Sequence, residues 1–404
     1  MKDLLSAGSG NDIPVLDVDP FSDEVLSNPY PFFEQLRESG ELAILKPYGI
    51  YAVGRHEQVY RVLSDWETFS NAAGAGLSDI RKPDSWRPAS AILESDPPYH
   101  TGVRKALTKT ISPLVVRGWK ANFQDEADLL VEQALDLGEL DGVRDIAEAY
   151  VTKVFPDAIG VDIPRDNAIA IGDMNFNAIG PANRRTQEAI ERAQPYMAWY
   201  EKSMLRESMR PGGVGERIFQ AEDNGEIGPG IGANLNRSFL RGGMDTTIAG
   251  LGHTLNALAR HPQAWQACRE DPNKVAAAFE ESLRLESPTQ VMFRTTRNQT
   301  EAFGSVLRGD TKIAAFIGSG NRDPRRWVDP DHYDMGRQVT GAHLAFGAGP
   351  HVCIGQMIAR LEAQCMLSAL ARRVKSLEPA GEPEYKLINT MRTLGRLPLR
   401  VKPI

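Results

Sequence analysis

The chain has 404 residues, 42% of them hydrophobic and 25% charged, with a formal net charge of −7 at pH 7. These are globular values that support a large core, and the acidic balance argues against nucleic acid or an anionic membrane as the main partner. Three cysteines, Cys268, Cys353 and Cys365, are too few for a disulfide framework and point to a reducing compartment. The N-terminus reads as neither signal nor anchor, and no run approaches the ~20 apolar residues that span a bilayer. The expectation is a soluble, cytoplasmic protein forming a single domain over residues 1–404.

In chain order, Asn28 to Gly40 (NPYPFFEQLRESG) has Asn-Pro start signals, apolar residues at helical spacing and a glycine stop, so it reads as the first helix. Leu42 to Gly54 alternates and is broken by Pro47 and Gly49, as in a hairpin. A short helix follows from His56 to Leu63. Between Ser70 and Asp96 all periodicity is lost among Gly, Ala, Pro and Ser, and so long a loop inside a compact unit is usually functional. It contains Trp86, Arg87 and Ser90, an aromatic, a cation and a hydroxyl in close succession. Pro97 and Pro98 open the next helix, on which His100 and Arg104 share a face. Lys105 and Lys109 point outward from it.

The stretch from 114 to 210 is helical, with a stop at Gly160. Phe176 and Ile179 are three apart and can face one cavity or the plain core. A proline-free run from Gly232 to Arg260 predicts one long helix, with RGGMDTT (Arg241 to Thr247) in its middle. Two adjacent glycines inside a helix cost about 1 kcal/mol each relative to alanine, so they need a reason. Close packing on another helix is one; room beside a flat cofactor is another. Ser238 lies seven residues before Asp245, on nearly the same face and ~10 Å away along the axis. Arg237 and Arg241 are near enough for either to pair with Asp245. Glu281 and Arg284 form an i,i+3 pair of the kind common on exposed helices. The last segment, from 385, alternates around Gly395 and Pro398 as a terminal hairpin whose turn could close a pocket.

Fifty residues from the C-terminus, FGAGPHVCIG (Phe346 to Gly355) sets Cys353 between a glycine-rich turn and a helix start. Backbone N–H groups and the helix dipole there favour thiolate, so a lowered pKa is expected. Such a sulfur is a nucleophile, an anion nest or an axial ligand for a soft metal. No second cysteine is nearby, so zinc or an iron–sulfur cluster is poorly supplied, whereas a thiolate-ligated haem needs one cysteine only.

FGAGPHVCIG resembles the haem-binding signature F-G-x-G-x-H-x-C-x-G of the cytochrome P450 haem-thiolate monooxygenases, with every fixed position filled. The resemblance extends from NPYPFF to the terminal segment. It implies a mainly α fold with a small β region (42–54, 291–318 and 385–404), a triangular helical bundle around haem b. It implies Cys353 as iron ligand within a loop shaped by Phe346, Gly347 and Gly355. His100, Arg104, Arg294 and His351 would hold the propionates, and Asp245 and Thr246 would deliver protons during dioxygen activation. Glu281, Arg284 and Arg337 would form a structural staple. Electrons would come from a ferredoxin-type protein served by an NAD(P)H reductase.

WRPAS, RSFLRGGMDTT, VMFRTT and SGNRDPRRW are further similar to bacterial members acting on para-substituted benzoates, notably 4-methoxybenzoate. That likeness implies Arg87, Ser90 and Ser238 as holders of an aromatic carboxylate, with Phe176, Ile179 and Phe293 walling the ring. The implied reaction is O-demethylation to 4-hydroxybenzoate and formaldehyde. The chain departs from those enzymes at Ile179, where a second aromatic is usual, and at Arg241, where a small residue is usual. Rival readings are a hydroxylase of the same fold for a terpenoid or fatty acid, and a haem-binding sensor or carrier without turnover.

Overall fold

The computed structural model describes residues 13–83 and 88–404. Six short strands form one sheet: β1 (Val15–Leu16), β2 (Ala43–Leu45), β3 (Ile50–Val53), β4 (Phe69–Ser70), β5 (Val291–Thr296) and β6 (Lys312–Phe316), in the order β1-β2-β3-β6-β5-β4. The expected hairpin is the antiparallel pair β2–β3, with Ile44 opposite Tyr51. β3 then pairs in parallel with β6, and β6 antiparallel with β5, setting Phe293 opposite Ala314.

The helices that build the site are α1 (Tyr99–Thr110), α2 (Lys120–Leu137), α3 (Arg165–Ile179), α4 (Gly232–Gly243), α5 (Asp245–Arg260), α6 (Lys274–Glu286) and α7 (Gln356–Arg373). α7 packs against α2, α5 and α6, and the largest apolar cluster lies among these helices. A second cluster, containing Phe32, Phe293 and Phe316, fills the space beside the sheet. Among the described residues no helix is long and apolar enough to cross a membrane.

Two expectations are corrected. The single helix from Gly232 to Arg260 is two helices, broken at Met244 (φ −98°, ψ −62°). The break leaves carbonyls without helical donors, and threonine hydroxyls take them: Thr246 Oγ1 donates to Gly242 O at 2.9 Å and Thr247 Oγ1 to Gly243 O at 3.2 Å. The terminal hairpin does not turn at Gly395–Pro398. Glu384–Leu387 pairs with Arg392–Arg396 around a turn at 388–391, and Pro398–Pro403 leaves to pair with Val374–Pro379 and Glu139–Asp141. That turn sits on α3, with Thr390 Oγ1 donating to Phe176 O at 2.6 Å. Glu139–Asp141 lies inside a stretch expected to be helical throughout. Its strand state depends on the chain terminus, a partner remote in sequence.

Behind the site stands a buried charge network. Glu281 and Arg284 are both fully buried, and two N–H···O bonds of 2.8 Å join them in parallel. The three remaining N–H groups of Arg284 donate to the carbonyls of Asn321, Pro330 and His332. All five guanidinium donors are therefore used. Arg337 Nε reaches Glu281 Oε1 at 3.3 Å, so the expected third partner is in contact. A second acid on the same helix, Glu280, accepts from Arg360 on α7 at 2.6 Å and faces His343 Nε2 at 3.0 Å. Burial works to raise its pKa, but His343 and Arg360 outweigh that and hold it at about 2.

Removing one partner of a buried, saturated pair strands the other charge. Arg284→Ala is expected to lower stability by about 3–5 kcal/mol, read from urea unfolding followed by circular dichroism. A loss below about 1 kcal/mol, the range of an exposed pair, would contradict the network's role.

Candidate active site

The break at Met244 sorts the residues of RGGMDTT onto two sides. Thr246, Thr247, Gly242 and Gly243 line a partly open cavity whose empty space, adjoining solvent included, is about 1720 Å³. The two glycines have different reasons. A Cβ on Gly243 would come within 2.0 Å of the Phe155 ring, so this position serves close packing, whereas a Cβ on Gly242 would meet nothing within 4 Å. Gly242 thus leaves open space facing the cavity.

Asp245 points the other way. Its carboxylate fills the space that a Cβ of Gly172 on α3 would need, with Oδ2 at 2.1 Å from that position. It lies beside Asp173, which pairs with Lys386 at 2.6 Å. Oδ2 is buried without a hydrogen-bond partner. Burial, and then the charge of Asp173, raise its pKa from 3.8 to about 7, with Lys386 opposing. The groups that set this pKa include neither Arg237 nor Arg241, so the expected arginine neighbours are replaced by Asp173 and Lys386. The expected bracket of Ser238 and Asp245 on one face is likewise broken by the kink, and Thr246 takes the cavity side.

Opposite α5, the loop before α7 brings Phe346, Gly347, Cys353 and Gly355 to the cavity wall. Cys353 N–H donates to Phe346 O at 2.8 Å, closing the loop. Gly349 adopts φ +68°, and a Cβ there would meet Ser64 Cα at 2.4 Å, so glycine is required twice over. The expected lowering of the Cys353 pKa is corrected: burial raises it, and the N–H groups of Gly355 and Gln356 with Arg104 and Arg360 only oppose that rise. A sulfur in this setting holds its negative charge when a cation sits on it.

Next to the cysteine loop, His100 and His351 meet with ring centroids 4.1 Å apart and planes tilted by 42°, and Nε2 of each is buried without a hydrogen-bond partner. Arg104 and Arg294 line the same cavity. Burial lowers the pKa of Arg294 to about 10 and that of His351 to about 2, and neighbouring cations push His351 further in that direction. Asp96, the carboxylate whose charge reaches His100 and Arg294, is already bonded to Ser70, the Asn71 N–H and Arg297. Four converging donors in need of acceptors suit a ligand with an anionic edge. One cysteine, an open apolar slot and this cradle fit haem b with its two propionates.

At the far end of the cavity Ser90 Oγ and Ser238 Oγ are 2.7 Å apart, from the long loop and from α4. Phe176, Ile179 and Arg241 line the wall between them and Thr246. Arg87 lies outside the described residues, as does Trp86. Phe293 is corrected. Side chains alternate along β5, so Met292 and Arg294 face the cavity while Phe293 is fully buried in the cluster beside the sheet, 6.4 Å from the Phe21 ring. Met292 takes the position expected for Phe293, and VMFRTT carried that signal, since the cavity-facing Arg294 fixes the phase. Also missed was Glu362 on α7. Both its carboxyl oxygens are buried without a partner and burial raises its pKa well above the usual range, with the Thr247 hydroxyl opposing. Its burial was not marked in ARLEAQC, where Arg360 and Gln364 accompany it.

A haem-sized slot between a kinked helix and a cysteine loop defines a haem-thiolate oxygenase. The profile of the family described as Cytochrome P450 matches residues 233–403. Cytochrome p450 CYP199A2 of Rhodopseudomonas palustris is 42% identical over 396 residues, covering 98% of this chain and 96% of that protein. Nocardicin C N-oxygenase of Nocardia uniformis is 30% identical over 374 residues, covering 90% and 93%. The solved structure of cytochrome P450 CYP109Q5 from Chondromyces apiculatus matches with a TM-score of 0.80 at 29% identity, covering 96% of this chain and 99% of that one. The chain belongs to the cytochrome P450 family of monooxygenases, whose cofactor is haem b and which use dioxygen, a substrate and a redox partner.

Asp245 binds its proton more tightly folded than unfolded. Its burial therefore destabilises the fold progressively as pH rises from about 4 to about 7, and the loss is complete above that window. Asp245→Asn is expected to gain stability relative to the parent across this window, by roughly 1.4 kcal/mol per unit of pKa difference. Urea unfolding at pH 5.0 and 7.5, as ~2 points bracketing the upper half of the window, measures it. A difference independent of pH would refute the assignment.

Proposed function

We propose that this chain is a monooxygenase of small aromatic carboxylic acids that oxygenates the substituent para to the carboxylate. With 4-methoxybenzoate, hydroxylation of the methyl carbon gives a hemiacetal, which releases formaldehyde and leaves 4-hydroxybenzoate. The observation that carries this reading is the Ser90–Ser238 pair, 2.7 Å apart, in the wall of an apolar cavity that Cys353 and Thr246 also line. With Ser238 Oγ donating to Asn234 O at 3.0 Å, Ser90 is the donor within the pair, and both hydroxyls could turn to one carboxylate, for which Arg87 would be the third partner. Phe176 and Ile179 flank the path of the ring.

Haem b, when bound, supplies the iron at which dioxygen is reduced and one oxygen atom is passed to the substrate. Cys353 would hold that iron, with Phe346, Gly347 and Gly355 forming the loop around the sulfur. His100, Arg104, Arg294 and His351 would take the propionates. Thr246 presents its hydroxyl on the cavity side of the kink while donating to Gly242 O. Asp245 stands behind it as a carboxyl that exchanges its proton near neutrality, a general acid one step removed. The carboxylate anchor fixes the distance from ring head to reacting carbon, so the chain's contribution is chiefly position. Electrons would arrive from a ferredoxin-type protein served by an NAD(P)H reductase.

Titration of the holoenzyme with 4-methoxybenzoate is expected to move the haem absorption from low to high spin, and turnover to release formaldehyde. No shift with any para-substituted benzoate would overturn the substrate. Ser238→Ala is expected to weaken binding of 4-methoxybenzoate by about 10-fold, the value of one charge-assisted hydrogen bond, without shifting its affinity for toluene. For the ligand, Cys353→His should abolish the red-shifted Soret band of the ferrous carbonyl complex, and survival of that band would refute the assignment.

A further inference from the structure

The cavity wall between the serine pair and Thr246 is not uniformly apolar. Asn175, one residue before Phe176 on α3, lines it, is 5% exposed, and its Nδ2 is buried without a hydrogen-bond partner. Arg241 lines the same wall from α4. It stands three residues beyond Ser238, hence ~4.5 Å further along the helix towards Thr246 and on nearly the same face. The Tyr200 phenol is the nearest polar group: burial raises its pKa, while Arg241, then Arg237, then a contact from the Asn175 amide lower it. Asn175 and Arg241 thus bring two donor-bearing groups to the cavity wall, with Tyr200 next to them.

Beside a purely hydrocarbon ring the Asn175 Nδ2 would have only its imperfect contact with the Tyr200 phenol, which is unfavourable in so apolar a wall. We propose that Arg241 and Asn175 form a second polar subsite, selecting benzoates that carry an acceptor oxygen on the ring carbon next to the para substituent. This rests on the benzoate reading above and narrows it: the ring is held at its head by Ser90 and Ser238 and at its flank by Arg241 and Asn175. A hydroxyl on that carbon accepts from the guanidinium and the amide N–H, and an unsubstituted C–H cannot. The two residues are therefore specificity-determining and take no part in the oxygenation itself.

The test compares 4-methoxybenzoate with 3-hydroxy-4-methoxybenzoate on the holoenzyme, by haem spin-state titration and by calorimetry. The 3-hydroxy acid is expected to bind at least ~5-fold more tightly, because a site built to hydrogen-bond a hydroxyl discriminates against its absence. In Arg241→Met and, independently, in Asn175→Leu, that preference should fall to ~2-fold or less, while affinity for 4-methoxybenzoate stays within ~2-fold of the parent. Two separate variants, each checked by circular dichroism, keep a folding defect in one from deciding the outcome. Equal binding of the two acids by the parent, or a preference that survives both substitutions, overturns the subsite while leaving the benzoate reading intact. If neither acid binds the parent, both fall together.

Discussion

The bidentate bond between Glu281 and Arg284 is the contact on which the site's architecture rests. A guanidinium with no exposure is tolerable only if every donor is used, and here the last three donors are used on carbonyls of the chain between Asn321 and His332. An irregular segment is thereby bound to a rigid helix, and Arg337 extends the hold to its far end. Glu280, one residue earlier on the same helix, reaches Arg360 and His343 and so secures the cysteine loop from both of its sides. Arg360 also lies over the Phe346 ring, 4.5 Å from its centroid. One helical turn thus converts two acids into the anchorage of a loop that has little regular structure of its own.

The opposite wall is organised by a defect. At Met244 the helical ladder lapses, and threonine hydroxyls take up the carbonyls it leaves. The consequence is a division of labour between neighbours: Thr246 faces the cavity, while Asp245 is buried against Gly172 with its carboxyl half-titrated near neutrality. Both stand in the first turn of α5, where adjacent residues point about 100° apart, so the two neighbours serve different sides of one helix. The kink opens the backbone beside Gly242 and places a titratable group behind the wall and out of contact with the contents of the cavity.

Charge inside the cavity is arranged by end. Near the cysteine loop His100, Arg104, Arg294 and His351 present donors without matching acids, and burial lowers the pKa of each, a cost to the charged forms that an arriving anion would relieve. Near α4 the donors are hydroxyls, an amide and an arginine. The first set suits the permanent carboxylates of a cofactor, and the second is the one to which the proposed substrate acid is assigned.

Much of this was legible in the amino-acid sequence, and what was not has a common cause. Cys353, the glycines around it, Glu281 with Arg284, and the pair His100 and Arg104 follow from residue types at fixed spacings, because local geometry decides which side chains share a turn. The hairpin at 42–54 and the stop at Gly160 are equally local. Phase is different. Whether Phe293 or Met292 meets the cavity depends on which face of β5 lies against β6 and the cluster around Phe21. Asp245 turns outward because Gly172, on a helix some seventy residues earlier, leaves it a space. The final turn falls at 388–391 because Pro398–Pro403 is claimed by Val374–Pro379 and Glu139–Asp141. The sequence by itself determined the elements and the chemistry they carry; only tertiary packing decided which side of each element faces the cavity, because a periodic pattern specifies a repeat and leaves its rotation to the neighbours.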